Sequence, residues 1–238
     1  MIEISGLTVR FGGVTPLEDV SLTFDSGTCG LIGPNGAGKT TFFNVLSGFV
    51  KPAAGTVRAF DRDLLKMSHY KRARWGLRRT FQTEQAIADL SIHDNVVLVS
   101  EHAHSDEAAS RNGVQDALDF VGLDVDAKTK VGTLGARDRR LVEVARAIVG
   151  KPQIVLLDEP AAGLPEEETV HLGGVIRQIP EHTGALVILV DHDMSLVSAC
   201  CDVTAVLDFG KLIASGPTAE VLRDERVVRA YLGTEEVA

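Results

Sequence analysis

The pattern of apolar and polar residues changes twice along the chain. Near the N-terminus, Ile2, Ile4, Leu7 and Val9 follow the two-residue period of a half-buried strand. Further on, apolar residues come in short unbroken runs, which are typical of parallel strands covered on both faces. The predicted strands are the N-terminal strand up to Phe11, residues 20–24, 28–32, 56–60, 77–81, 154–157 and 185–190, and a hairpin of 203–207 with 211–214.

The middle of the chain has helical spacing instead. Ser91 predicts a helix N-cap, and apolar residues recur with a helical period over 114–121 and 141–148. The polar stretch 101–112 predicts a loop, and its His102 and His104 have no carboxylate or cysteine at a metal-ligand spacing.

Strands that alternate with helices predict an α/β fold. We expect residues 1–82 and 151–238 to form one core, with a mainly parallel sheet and an antiparallel β region at the N-terminus. Residues 83–150 are expected to form a helical subdomain inserted into that core.

One stretch carries the clearest chemistry, and it fits the phosphate-loop pattern GxxxxGK[ST] without mismatch. Glycines allow backbone N–H groups to surround phosphate oxygens. A lysine here can reach the β- and γ-phosphates, and the next hydroxyl can take a Mg²⁺ position. The loop follows a predicted strand and opens a predicted helix, whose N-terminus favours the same anion. The residues expected to bind nucleotide are Gly33, Pro34, Asn35, Gly36, Ala37, Gly38, Lys39, Thr40 and Thr41, and Thr40 is also expected to bind Mg²⁺.

Charged residues follow two of the predicted buried strands. Asp158 ends one strand, where a carboxylate can hold Mg²⁺ directly or through water. Glu159 comes next and can orient or deprotonate an attacking water. His192 follows the neighbouring strand, at the sheet edge where ligands gather, and can sense the γ-phosphate.

Composition and charge restrict the range of partners. The formal net charge of −9 argues against nonspecific binding to nucleic acid. The three cysteines have no framework spacing, so we expect buried, reduced thiols and a cytosolic setting. No signal peptide is evident and the apolar runs are too short to span a bilayer, so any membrane role is expected to come through a partner.

Seven basic residues between 62 and 79 predict a solvated helix face, with a docking surface as the alternative.

These motifs together resemble the nucleotide-binding subunits of ABC transporters along the whole chain. Phe11 lies where that family has an aromatic residue that stacks on the base, and Gln82 matches the glutamine that touches Mg²⁺ and faces the membrane subunit. Glu159 matches the catalytic glutamate and His192 the switch histidine. The Arg-Thr-Phe-Gln run at 79–82 and the tail from Val206 are similar to the branched-chain amino-acid importer branch.

The resemblance implies a P-loop NTPase of the ABC cassette type that hydrolyses ATP at the cytoplasmic face of the membrane. Its implied partners are integral membrane permease subunits, a second ATP-binding subunit and, indirectly, a solute-binding protein. In such dimers, ATP lies between the phosphate loop of one chain and the signature segment of the other.

The sequence departs from the family pattern at two places. The usual Leu-Ser-Gly-Gly-Gln signature reads Leu134-Gly135-Ala136-Arg137-Asp138, so it lacks the serine and has arginine at a glycine position. Pro165 replaces the aspartate that normally follows residues 161–164. Both departures fall on the composite site whose phosphate loop belongs to the partner, which predicts a heterodimer with one competent and one impaired site. Alternatively, Arg137 supplies a positive charge to phosphate and preserves function.

Three other functions share these motifs. An ATPase for lipid or lipopolysaccharide export has the same style of tail, and a regulatory subunit would bind ATP with little hydrolysis. A soluble ABC ATPase acting on DNA or ribosomes generally has coiled-coil insertions or a second cassette, and this acidic chain has neither heptads nor a second phosphate loop.

Overall fold

The computed structural model describes residues 1–25, 27–103 and 107–232. Within them lie two sheets and a set of helices. The helices are α1 (Lys39–Ser47), α2 (His69–Trp75), α3 (Ile92–Ala103), α4 (Glu107–Val121), α5 (Ala136–Ile148), α6 (Glu166–Thr183), α7 (Met194–Cys200), α8 (Thr218–Val221) and α9 (Glu225–Leu232). Short 3₁₀ turns cover Leu64–Lys66 and Val131–Thr133.

A six-stranded sheet forms the centre of the molecule, with all neighbours parallel except β9 and β10. Its strand order is β10-β9-β3-β8-β7-β6. These strands are β3 (Thr28–Ile32), β6 (Leu77–Arg79), β7 (Ile154–Asp158), β8 (Leu186–Val190), β9 (Val203–Asp208) and β10 (Lys211–Pro217).

The N-terminal region forms a separate four-stranded antiparallel sheet in the order β2-β1-β4-β5. Its strands are β1 (Ile2–Phe11), β2 (Val14–Phe24), β4 (Ala54–Ala59) and β5 (Arg62–Asp63). The predicted fold class, a mainly parallel core with an antiparallel β region and helices, is therefore confirmed.

The unbroken apolar runs are explained by burial of both faces of the central sheet. Along β8, Val187 and Leu189 pack with α3–α6, whereas Leu186, Ile188 and Val190 pack with α1 and the antiparallel sheet. A strand covered on both sides has no position at which a polar side chain reaches water.

The structure differs from the sequence predictions in residues 101–112 and in the basic stretch 62–79, and β2 begins at Val14 and not at residue 20. Residues 101–112 were expected to form a loop, but α3 extends to Ala103 and α4 begins at Glu107. Residues 104–106, and hence His104, lie outside the described residues, as does the side chain of His102.

The expected solvated basic face over 62–79 is wrong for Arg72 and Arg79. The guanidinium of Arg72 is buried and donates to the carbonyls of Val45 and Leu46, the latter at 2.7 Å, at the C-terminal end of α1. A cation at this end of a helix satisfies carbonyls that lack intrahelical partners.

Candidate functional site

The glycine-rich stretch forms a tight loop between β3 and α1. Gly33 has φ +148°, and a Cβ built there would lie 2.0 Å from the backbone oxygen of Leu207. Gly38 is the N-cap of α1 with φ +106°, and its Cβ would lie 2.3 Å from the Pro16 oxygen. Only glycine fits such close backbone approaches at positive φ.

Lys39 begins α1 and turns back into this loop. Its Nζ donates to the backbone oxygens of Gly33 at 2.6 Å and of Pro34 at 3.0 Å. Burial lowers the pKa of Lys39, whereas the carboxylates of Glu159 and Asp158 act in the opposite direction. The ammonium group is thus held where phosphate oxygens would enter, close to the two acidic residues.

Asp158, Glu159 and Gln82 come together at the carboxyl end of β7. Gln82 Nε2 donates to Glu159 Oε2 at 2.9 Å. Glu159 itself has φ +48°, an uncommon conformation for a residue with a side chain, and its N–H donates to the Val190 oxygen at 2.7 Å. Strained backbone of this kind is common at functional sites.

Asp158 is buried and paired with Arg79. Arg79 Nη2 donates to Asp158 Oδ2 at 2.7 Å, and both side chains are nearly inaccessible. In the sequence, Arg79 belongs to the basic stretch and to the Arg-Thr-Phe-Gln run, and neither pattern predicts this pair. A signal was present in the sequence, since Arg79 falls in a predicted strand, where a charged side chain needs a partner if it is buried.

His192 lies at the same edge of the sheet, two residues after the end of β8. Its side chain is 68% exposed, and its Nδ1 lies 3.7 Å from Asp191 Oδ1. Asp191 is buried, and burial raises its pKa, although it accepts backbone N–H groups of His192 and Asp193. No contact among the described residues joins the His192 ring to Glu159 or to the loop, so its imidazole is left facing outward.

Phe11 lies at the end of β1 with 53% of its surface exposed. The hairpin that carries it packs on the phosphate loop through Pro16, next to Gly38. An exposed ring at this place can cover a bound base.

The C-terminal helix contributes a contact that the sequence analysis missed. The hydroxyl of Tyr231, on α9, is buried close to the backbone of Gly33. Burial raises the pKa of Tyr231 to about 12, so the phenol keeps its proton at neutral pH. Its distance in sequence from the loop left no local signal for this contact.

The donors fit Mg²⁺ bound with phosphate and water. Thr40, Asp158 and Gln82 offer a hydroxyl, a carboxylate and an amide oxygen, the hard ligands that Mg²⁺ prefers. Within the described parts of the chain, no three His, Cys, Asp or Glu side chains form a group that could hold a metal alone. Mg²⁺ that keeps several waters and binds substrate phosphates needs no such cage.

Both departures from the family pattern lie at helix N-termini. Gly135 is the N-cap of α5 and Pro165 is the N-cap of α6, and neither helix has a side-chain capping hydrogen bond. Arg137, in the first turn of α5, donates toward His171 Nε2 at 3.0 Å and lies 3.6 Å from Asp138. The guanidinium of Arg137 therefore interacts with side chains of its own chain.

Comparisons with known proteins agree with this geometry. A family model described as "ABC transporter" matches residues 17–162, and one described as "Branched-chain amino acid ATP-binding cassette transporter" matches 211–237. The chain is 36% identical to LivG of Salmonella typhimurium, a high-affinity branched-chain amino acid transport ATP-binding protein, over 98% of each chain. It is 33% identical to LptB of Escherichia coli, the ATP-binding protein of a lipopolysaccharide export system, over 96% of this chain and 95% of LptB.

Solved structures share the fold. The ADP conformation of MJ1267, an ATP-binding cassette of an ABC transporter, superposes with a TM-score of 0.87 at 25% identity over 98% of each chain. Among the described helices, none combines the length and apolar character that crossing a bilayer requires. The chain belongs to the ABC transporter family of ATP-binding subunits, which are ATP-hydrolysing transport ATPases.

Proposed function

We propose that the chain couples ATP binding and hydrolysis to import of branched-chain or related amino acids. The observation that carries this proposal is similarity to LivG over 98% of both chains, together with the match of residues 211–237 to the branched-chain amino acid model. No residue described here would touch the transported solute, because the chain supplies the energy-coupling site only.

The residues of the site divide the chemistry between them. Gly33–Thr41 would hold the phosphates, with Lys39 neutralising charge that develops on the γ-phosphate. Mg²⁺ held by Thr40, Asp158 and Gln82 would supply further charge neutralisation. Glu159, hydrogen-bonded to Gln82, would orient and deprotonate the attacking water. His192 would reach the γ-phosphate from the neighbouring strand end, and Phe11 would stack on the base.

This role requires other subunits. We propose that residues 1–82 and 151–238 act as the nucleotide-binding core, that 83–150 form the signature subdomain, and that permease subunits bind the chain at the cytoplasmic face of the membrane. A solute-binding protein would act through the permeases, and nucleic acid is not expected to bind.

The second ATP-binding subunit is proposed to be a non-identical paralogue. The α5 N-terminus offers no serine hydroxyl to a partner's γ-phosphate, and Arg137 brings a side chain where glycine would allow close backbone approach. A cation also opposes the positive end of the helix dipole. The pairing of Arg137 with His171 and Asp138 supports impairment rather than a contact with phosphate.

The test is steady-state ATPase activity of the chain alone and mixed with a co-encoded paralogue. We expect weak turnover alone and strong turnover in the mixture, and Glu159→Gln in this chain should lower the mixed activity about 100-fold or more. Robust turnover by the chain alone, abolished by Glu159→Gln, would contradict the impaired-signature proposal but leave the ATPase role intact.

Repairing the signature tests the same proposal directly. Gly135→Ser with Arg137→Gly should raise the activity of the chain alone, and Arg137→Gly by itself should cause no loss. If Arg137 instead supplies charge to phosphate, Arg137→Gly would lower the activity.

Lipopolysaccharide or lipid export is the second candidate, because LptB is 33% identical over nearly the same length. Uptake of labelled leucine by cells with and without the chain distinguishes import from export. Purification with integral membrane proteins separates either role from a soluble ATPase, and ATP binding without turnover in every mixture would indicate a regulatory subunit.

A further inference from the structure

Arg79 is the charged group that holds Asp158, and it is itself held from several sides. Its Nη1 donates to Asn44 Oδ1 at 2.7 Å and to Ser47 Oγ at 3.3 Å, both on α1. Its Nη2 donates to Asp158 Oδ2 at 2.7 Å. One guanidinium therefore joins the helix that follows the phosphate loop to the acidic end of β7.

Aromatic rings fix the remaining faces of this guanidinium. Its Cζ lies 4.8 Å from the centroid of the Phe81 ring and 5.4 Å from that of Phe43. The Arg79 side chain is 5% exposed and that of Asp158 is 7% exposed. A planar, rigid fork clamped in this way has little freedom to rotate, which a lysine at the same place would retain.

The two oxygens of Asp158 have different surroundings. Oδ2 accepts from Arg79, whereas Oδ1 accepts no hydrogen bond within the part of the chain that the structure describes. The backbone N–H of Asp158 is also fixed, since it donates to Thr80 Oγ1 at 3.1 Å. The carboxylate is therefore anchored through one oxygen and keeps the other for a further ligand.

We propose that Arg79 is a positioning residue for the Mg²⁺ site, which orients the Asp158 carboxylate relative to the phosphate-loop helix and keeps Oδ1 available to the metal or its water. This inference rests on the proposed binding of Mg-ATP. Arg79 acts through Asp158 in this role, because both terminal nitrogens of its guanidinium donate to groups of the chain: Nη1 to Asn44 and Ser47, and Nη2 to Asp158.

The readout is the magnesium enhancement, defined as the nucleotide Kd in EDTA divided by the Kd in saturating Mg²⁺. It is measured by calorimetry with ADP and with a non-hydrolysable ATP analogue. By thermodynamic linkage, this ratio reports how much more tightly Mg²⁺ is held in the complex than by free nucleotide. It requires no turnover, so it is independent of any partner subunit.

Arg79→Met removes the charge and the donors but keeps the length of the side chain. We expect its Kd in EDTA to stay within about threefold of wild type, because the loop that binds phosphate is untouched, while the magnesium enhancement falls about tenfold. Arg78→Met is the matched control, because Arg78 lies on the same strand but donates to the Ala73 carbonyl and has no contact with Asp158.

Two further variants separate positioning from general stability. Asn44→Ala leaves the ion pair intact but removes the shorter of the two hydrogen bonds from Nη1 to α1, so it should lower the enhancement about threefold. In an Asp158→Asn background, Arg79→Met should change the enhancement by less than twofold, because the group that Arg79 positions has lost its charge.

Failure of the positioning role of Arg79 and failure of the proposed ATP binding give different results in these measurements. An unchanged enhancement in Arg79→Met and Asn44→Ala, a ratio near one in the wild-type chain, or an equal effect of Arg79→Met in the Asp158→Asn background would overturn the proposal. If Arg79→Met does not fold, the Asn44→Ala result decides. Absence of nucleotide binding to the wild-type chain in both buffers would instead overturn the proposed ATP-binding function.

Discussion

Gly33 shows how strictly one position in the phosphate loop is constrained. Its φ is +148°, and a Cβ would lie 2.0 Å from a backbone oxygen that belongs to β9. Gly33→Ala is expected to lower the free energy of unfolding by about 3 kcal/mol or more, because both the backbone conformation and the contact are unfavourable. Urea denaturation without nucleotide measures this loss.

Gly36→Ala is the matched control in the same loop. Gly36 also has a positive φ, of +81°, but a Cβ there would meet nothing within 4 Å. Its cost should be about 1 kcal/mol, from the backbone conformation alone. Equal losses for the two variants would show that the approach of Leu207 to Gly33 is unimportant.

The sequence allows predictions about single residues where their chemistry depends on a local pattern. The phosphate-loop residues were predicted from one continuous motif, and Asp158 and Glu159 from their place after an apolar run. The expected solvated position of Arg79 was wrong, because its place in a predicted strand was the one sign of burial. That sign does not show that Asn44 and Asp158 will surround it. Its role depends on groups far away in sequence.

At the scale of elements, α7 depends on its N-cap. Asp193 Oδ1 accepts the N–H groups of Ser195 at 2.8 Å and Leu196 at 3.2 Å. Asp193→Ala should cost about 1 kcal/mol of unfolding free energy, since these amides lose their partner. Thermal or urea denaturation measures the loss.

Asp193→Asn provides the control, because asparagine keeps a side-chain oxygen that can cap the helix. It should retain most of the stability that alanine loses. If asparagine is as damaging as alanine, the negative charge at this helix end matters more than the hydrogen bonds.

The predicted strands of the central sheet agree closely with the structure, because short continuous apolar runs are typical of strands buried on both faces. The secondary structure of residues 101–112 was predicted least well. It lacks an apolar period, so it was expected to be a loop, yet α4 begins at Glu107. Alanine, glutamate and arginine have high intrinsic helix propensity, which a search for amphipathic periods overlooks.

At the scale of the whole molecule, the central sheet separates two hydrophobic cores, and both contain cysteine. Cys29 lies in the core shared with α1 and the antiparallel sheet, whereas Cys200 and Cys201 lie on the other side. Burial raises the pKa of Cys29 from 9.0 to about 12 and that of Cys200 to about 11, and it also raises the pKa of Cys201.

These thiols should therefore be inert in the folded protein. The thiolate fraction of Cys29 at pH 8 falls about a thousandfold relative to a thiol of pKa 9.0, and access is blocked as well. We expect no reaction with Ellman's reagent in buffer at pH 8 and reaction of all three thiols in guanidinium chloride. Rapid reaction of one thiol in the native state would show that one core opens locally.

The sequence by itself determined the fold class, the phosphate loop and the acidic pair at the end of β7. These depend on local patterns: glycine spacing, a lysine and a threonine at fixed positions, and apolar runs that only a doubly covered sheet can accommodate. The departures at Gly135 and Pro165 are also visible in the sequence, because the family motif states which residue is expected at each of these positions.

Only the tertiary structure decided which groups surround these motifs. Arg79 became a partner of Asp158 because β6 pairs with β7, and α9 brings Tyr231 close to the backbone of Gly33. Arg137 contacts His171 because α5 packs near α6. Such contacts join residues separated by tens of positions, so their energies depend on strand order and helix packing and leave no local pattern in the sequence.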